Sequence, residues 1–150
     1  MSDKESGADL PHYKLKQTML HGQDSKPADL IRLGRRFLEE GWLNDAVDFF
    51  KKAEDQQGLA DVRALAIEQG DVFLLRQLLR AGAPAAAEDE WKQIGERAFA
   101  LGKLQFAREA YRMAGDRKSM EKVDQLLEPE PAAEDEAEVE AEFEEGEPQE

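Results

Sequence analysis

Few residues in this 150-residue chain have side chains that act as acid, base, nucleophile or metal ligand without special surroundings. The two histidines, His12 and His21, both fall in a polar N-terminal stretch. Unless that stretch orders, it cannot hold them as a catalytic base or a ligand pair. Ser2, Ser6, Ser25 and Ser119 lack the glycine-flanked strand-to-helix context of an activated nucleophile. No phosphate-cradling glycine loop, H-E-x-x-H pair or calcium loop occurs. With no cysteine, disulfides, thiol nucleophiles and thiolate metal sites are excluded. The acidic C-terminal residues can attract divalent cations loosely, but they lack the alternating spacing and turn glycine of a defined oxygen cage. The expectation is a protein with no catalytic, cofactor-binding or metal residues and no cofactor, and not an enzyme.

Charge separates the chain into parts. Residues 128–150 hold twelve carboxylates and no Lys or Arg, within a formal net charge of −14 for the whole chain. The preceding 127 residues therefore carry only −2. A body so near neutrality can present a basic face that the whole-chain charge hides. The tail repels phosphate backbones, so nucleic acid is not an expected partner. No apolar run approaches the roughly 20 residues that span a bilayer. The opening Met1-Ser-Asp-Lys-Glu-Ser has no apolar leader. A cytoplasmic protein with no membrane partner is expected.

Three regions position what remains. Residues 1–24 mix polar residues with Gly7, Pro11 and Gly22, without sustained periodicity. They read as a flexible N-terminal arm, with Tyr13–Leu20 as a possible short docking segment. Residues 25–127 have helical patterning. Ser25 is the expected N-cap before Pro27, and Leu30, Leu33, Phe37 and Leu38 follow at helical spacing up to Gly41. Asn44 or Asp45 starts a second helix carrying Ala46, Phe49, Phe50 and Ala53. Helices are then expected over Leu59–Gln69, Val72–Arg80, from a cap at Asp89 to Gly102, over Leu104–Ala114, and over Ser119–Leu127 with Ser119 as cap. Met120, Val123, Leu126 and Leu127 would cap the stack or form a dimer seam, so the oligomeric state stays open. Residues 128–150, interrupted by proline and self-repelling, read as a disordered acidic tail.

Two segments align without gaps at an offset of 61 residues. Residues 33–55 and 94–116 share seven identities in 23 positions: Gly34/Gly95, Arg36/Arg97, Gly41/Gly102, Leu43/Leu104, Ala46/Ala107, Ala53/Ala114 and Asp55/Asp116. Leu33 pairs with Ile94, and Phe50 with Tyr111. Small residues stand where two helices must cross closely, and a glycine stands at each tight turn. This pattern resembles the tetratricopeptide repeat, W-x2-L-G-x2-Y followed by A-x3-F, A and P. Leu30, Leu33, Gly34, Phe37, Ala46, Phe50 and Ala53 carry it in the first copy. Trp91, Ile94, Gly95, Ala98, Ala107, Tyr111 and Ala114 carry it in the third, where Trp91 is an expected core residue. Gly58 and Ser119 stand where the family has its closing proline. The middle unit departs, with Arg63 in the glycine slot and Leu75 in the alanine slot. Its Leu74–Ala83 stretch looks instead like the second helix and turn of an ankyrin repeat. With no second such unit, it is read as a degenerate helical hairpin. The expected fold is all-α: a short α-solenoid of about three helical hairpins plus a C-terminal helix, with the arm and tail at its ends.

The resemblance implies a protein-interaction module, an adaptor or co-chaperone-like scaffold that binds a peptide or partner helix on the concave face formed by the first helix of each hairpin. Carried over position by position, the outward residues are Ile31, Arg35, Leu38 and Glu39 in the first copy and Lys92, Glu96, Phe99 and Ala100 in the third, with Arg32 and Arg36 flanking the first group, and the middle unit would add Ala64, Ile67 and Glu68. The candidate partner-binding residues are Ile31, Arg32, Arg35, Arg36, Leu38, Lys92, Glu96 and Phe99. The family's carboxylate clamp is not reproduced, because Ile31 and Arg35 occupy its places. Arginines beside Leu38 and Phe99 suit an acidic or amphipathic peptide, since guanidinium pairs bidentately with carboxylate. The same charges also fit an ordinary solvated helix face. Trp42, just after the turn glycine, is either a contact residue or a cover for the loop. The tethered tail would compete for a basic face at an effective concentration on the order of millimolar. The alternative function places activity in the tail, as an electrostatic shield or chaperone for a basic client.

Overall fold

The computed structural model describes residues 13–22 and 25–127. The expectations for residues 1–12 and for the tail at 128–150 lie outside the described residues. Among those described there are eight α-helices and no strand: α1 (Tyr13–His21), α2 (Pro27–Glu39), α3 (Leu43–Lys52), α4 (Gln56–Glu68), α5 (Val72–Arg80), α6 (Glu88–Ala100), α7 (Leu104–Ala114) and α8 (Arg117–Leu127).

Short connections carry most of the architecture. Linkers of a few residues force successive helices to turn back on each other. Accordingly α2 packs on α3, α4 on α5, α6 on α7 and α7 on α8. Contacts also join helices one place further on: α2 with α4, α4 with α6, α3 with α5, and α5 with α7. The apolar stripes of these helices meet in a core of Leu30, Phe37, Phe49, Phe50, Leu59, Val62, Leu74, Leu75, Leu78, Trp91 and Ile94. Phe37 and Phe49 stack with ring centroids 5.2 Å apart. A second cluster of Ala98, Ala107, Tyr111 and Val123 lies beneath α8, with Met120 and Leu127 packed against it, whereas Leu126 is exposed. No polar or charged residue among those described is buried.

The helix ends repeat one hydrogen-bonding device. The Trp42, Asp55, Asp71, Lys103 and Asp116 amides donate back to the Phe37, Phe50, Ala66, Ala98 and Tyr111 carbonyls at 2.8–2.9 Å. Each donor follows a residue of positive φ, the arrangement that satisfies the last carbonyls of a helix. Glycine fills four of these positions, and Glu54 fills the fifth at φ 53°.

Several expectations are corrected. Tyr13–His21 is a helix resting on α3, with Met19 and Leu20 against the core and Lys16 paired with Asp45, so this part of the arm is not a loose tether. Ser25 does not cap α2; its hydroxyl donates to the Met19 carbonyl (2.9 Å), and Lys26 occupies the cap position. Helix α4 begins at Gln56, ahead of Leu59. Asp89 lies inside the first turn of α6, where its charge favours the positive end of the helix dipole. Asp116, not Ser119, caps α8: its carboxylate accepts from the Ser119 amide (3.1 Å) and hydroxyl (2.7 Å).

Candidate partner-binding surface

Gly34, Gly58 and Gly95 set how closely the helices approach. A Cβ on Gly34 would sit 2.6 Å from the Phe50 ring, and one on Gly58 would sit 2.4 Å from the same ring. Phe50 is thus wedged between α2 and the first turn of α4, which explains why a glycine stands at position 58. Gly95 faces Tyr111 in the same way, with a Cβ 2.9 Å from the ring. The 61-residue repeat is therefore a packing repeat, in which a glycine on one helix receives an aromatic ring from the next.

The middle pair is held differently. Arg63 grips Glu90 at the start of α6 through Nε (2.5 Å) and Nη2 (2.7 Å), and donates through Nη1 to the Pro84 carbonyl (2.5 Å). The hydrogen bond to Glu90 is the main cause raising the Arg63 pKa above its ordinary value. At the far end of α4, Gly70 lies against the α6 backbone, where a Cβ would meet the Ala98 Cα at 2.6 Å. Arg97 Nε donates to the Glu68 carbonyl (2.7 Å) and Lys103 Nζ to the Gln69 carbonyl (2.6 Å), satisfying acceptors that α4 leaves open.

Between these fastenings α4 and α6 enclose a cleft of about 480 Å³, lined by Ala64, Ile67, Glu68, Gln93, Glu96, Arg97 and Ala100. The cleft exists because Ala64 and Ala100, both exposed, are too short to fill the space between the helices. Half-buried Ile67 supplies the apolar floor. Among the described residues neither the Glu68 nor the Glu96 carboxylate has an ion-pair partner, whereas Arg97 is engaged with the α4 carbonyl.

Of the eight residues singled out from the sequence, Glu96 lines this cleft. Lys92 and Phe99 are exposed elsewhere on α6, and Ile31, Arg36 and Leu38 are half-buried on α2, Leu38 against the core. Arg32 is exposed and 3.7 Å from Asp29. Arg35 pairs with Asp61 on α4 and lies over the Phe50 ring, 5.3 Å from its centroid. The Arg35 hydrogen bond is the main cause holding the Asp61 carboxyl below its ordinary range. Ala64, Ile67, Glu68 and Ala100 do meet in the cleft. Gln93 and Arg97 were not anticipated there; the match of Arg97 to Arg36 in the repeat was the available signal. The more cationic hollow, about 340 Å³, lies between α1 and α3 and is lined by Gln17, Leu20, His21, Asp48, Lys51 and Lys52. Trp42 is 58% exposed, while Trp91 is buried. His21 Nε2 lies 2.9 Å from Gln17 Oε1 on the same helix; His12 lies outside the described residues.

Among the described residues no group of three or more His, Cys, Asp or Glu is arranged to hold a metal ion. None of their helices is long and apolar enough to cross a membrane. The chain matches no protein-family model, and no curated protein or solved structure matches it.

Proposed function

We propose that this protein is a protein-interaction module of tetratricopeptide-repeat type, an adaptor or co-chaperone-like scaffold that seats a peptide or partner helix between α4 and α6. In this reading α2–α3, α4–α5 and α6–α7 are three stacked hairpins of a short solenoid closed by α8, and α2, α4 and α6 line its concave side. The observation that carries the proposal is the α4–α6 cleft, an open hollow with an apolar floor and carboxylates at its rim. Exposed small side chains on two helices held apart by defined contacts leave a ready-made seat for another chain's side chains.

The test is affinity capture from native cytoplasm with the full chain, the Ala64→Arg/Ala100→Arg variant and a chain ending at residue 127. Both alanines are exposed, so arginine there fills the cleft without entering the core. Loss of a specific partner with the filled cleft, and its retention without the tail, is the expected outcome. Partners lost only with residues 128–150 would instead favour the tail as an electrostatic shield for a basic client.

A further inference from the structure

From the pairing of the arginines we infer that the α4–α6 cleft takes a cationic segment carrying an apolar anchor, not an acidic one. This inference rests on the proposed function above and narrows its ligand.

The sequence places Arg32, Arg35 and Arg36 on the candidate face, but none of the three lines the cleft. Arg35 is neutralised by Asp61 across α2 and α4. Arg97, which lines the cleft, turns its Nε to the Glu68 carbonyl. Glu68 and Glu96 remain on the cleft wall, with no ion-pair partner among the described residues, and share the lining with Ile67, Ala64 and Ala100. An apolar side chain of the ligand covers Ile67, while Lys or Arg a helical turn to either side meets Glu68 and Glu96. An acidic ligand in the same place faces two carboxylates against one guanidinium, that of Arg97, whose Nε is already engaged.

The tail acts in the same direction. Its twelve carboxylates supply most of the whole chain's net charge of −14. That field steers cationic segments toward the protein and repels anionic ones. The tail is therefore a recruiter of the cleft's ligand rather than a competitor for the cleft.

Two labelled peptides test this on the isotope-labelled full chain. One is an amphipathic helix of Leu with Lys and Arg; the other has each basic residue replaced by Glu. Binding is followed by amide chemical shifts and by anisotropy. The cationic peptide is expected to shift Ala64, Ile67, Glu68, Gln93, Glu96 and Ala100. Its affinity should fall about fivefold in the Glu68→Gln/Glu96→Gln variant with the tail intact, the scale of two exposed charge pairs. Because both carboxylates are exposed, that variant should keep the wild-type melting temperature. If the acidic peptide shifts these amides as strongly, or if neutralising the carboxylates leaves affinity unchanged, the charge assignment fails while the cleft survives as a binding site. If both peptides leave the cleft amides unmoved, or shift only the tail, the cleft itself fails as the seat.

Discussion

Position for position, Gly34, Arg63 and Gly95 occupy the same place on α2, α4 and α6, yet they join neighbouring helices by opposite means. On α2 and α6 a missing side chain admits an aromatic ring, Phe50 or Tyr111. On α4 a long side chain reaches outward to Glu90 and the Pro84 carbonyl. The first arrangement fixes a helix to its chain neighbour through close packing, which tolerates almost no added volume. The second fixes a helix to the one after next through directed hydrogen bonds and leaves space between them. The cleft lies in that space, so the irregular middle pair is what creates the candidate binding surface.

Five predictions bear on this contrast. The largest effect is expected at Gly70, where the middle pair meets α6. Alanine there would take a left-handed φ of 63° and drive its Cβ against the Ala98 backbone. Gly70→Ala should destabilise by about 3 kcal/mol in chemical denaturation. Gly34→Ala should cost about 2 kcal/mol despite alanine's better helix propensity, because Phe50 is also packed closely against Gly58 and has little room to shift. Combining it with Phe50→Leu should cost less than the two changes summed; strict additivity in a double-mutant cycle would remove the wedge from the account.

Arg63→Ala should cost about 1–2 kcal/mol, since it strands Glu90 at a partly buried site. Arg63→Lys should recover only part of that loss, because an ammonium lacks the bidentate fork. Next in size is a stabilisation. Glu54 and Gly115 occupy matching left-handed positions at φ 53° and 71°, so Glu54→Gly should raise stability by roughly 0.5–1 kcal/mol. A fall in the melting point would show that Glu54 makes an unrecognised contribution.

The smallest effect is a pH dependence. Asp61 and Glu109 have carboxyl pKa values held below their ordinary ones, chiefly by hydrogen bonds from Arg35 and from Arg112 respectively. Each contributes stability that is present above the unfolded-state pKa and lost as the pH falls through the folded one. Thermal melts should therefore weaken below about pH 4. In Asp61→Asn that acid limb should be shallower, and an identical limb would exclude Asp61 from it.

The helices from α2 onward were largely legible in the sequence, because their apolar residues recur at helical spacing and glycines mark the turns. Val72–Arg80 and Leu104–Ala114 are found at the expected bounds. Helix α1 was legible only as a docking segment over Tyr13–Leu20, because it is short and mostly polar and what holds it is contact with α3, over twenty residues away. The start of α4 was misplaced because Gly58 looks like a loop residue, although its lack of a side chain serves Phe50. Ser119 looks like a cap, but Asp116 already holds its amide. The charge of the candidate face was the least legible feature. Arg35 finds its partner 26 residues along the chain and Arg97 finds a backbone carbonyl 29 residues back, and neither pairing leaves a mark on the local pattern.

The most direct test of the α4–α6 cleft as the binding surface is a calorimetric titration of a captured partner into the full chain and into Ala64→Arg/Ala100→Arg. The account predicts at least about a tenfold loss of affinity, roughly 1.4 kcal/mol, with the melting temperature of the free protein unchanged. Unchanged affinity for the variant would contradict it.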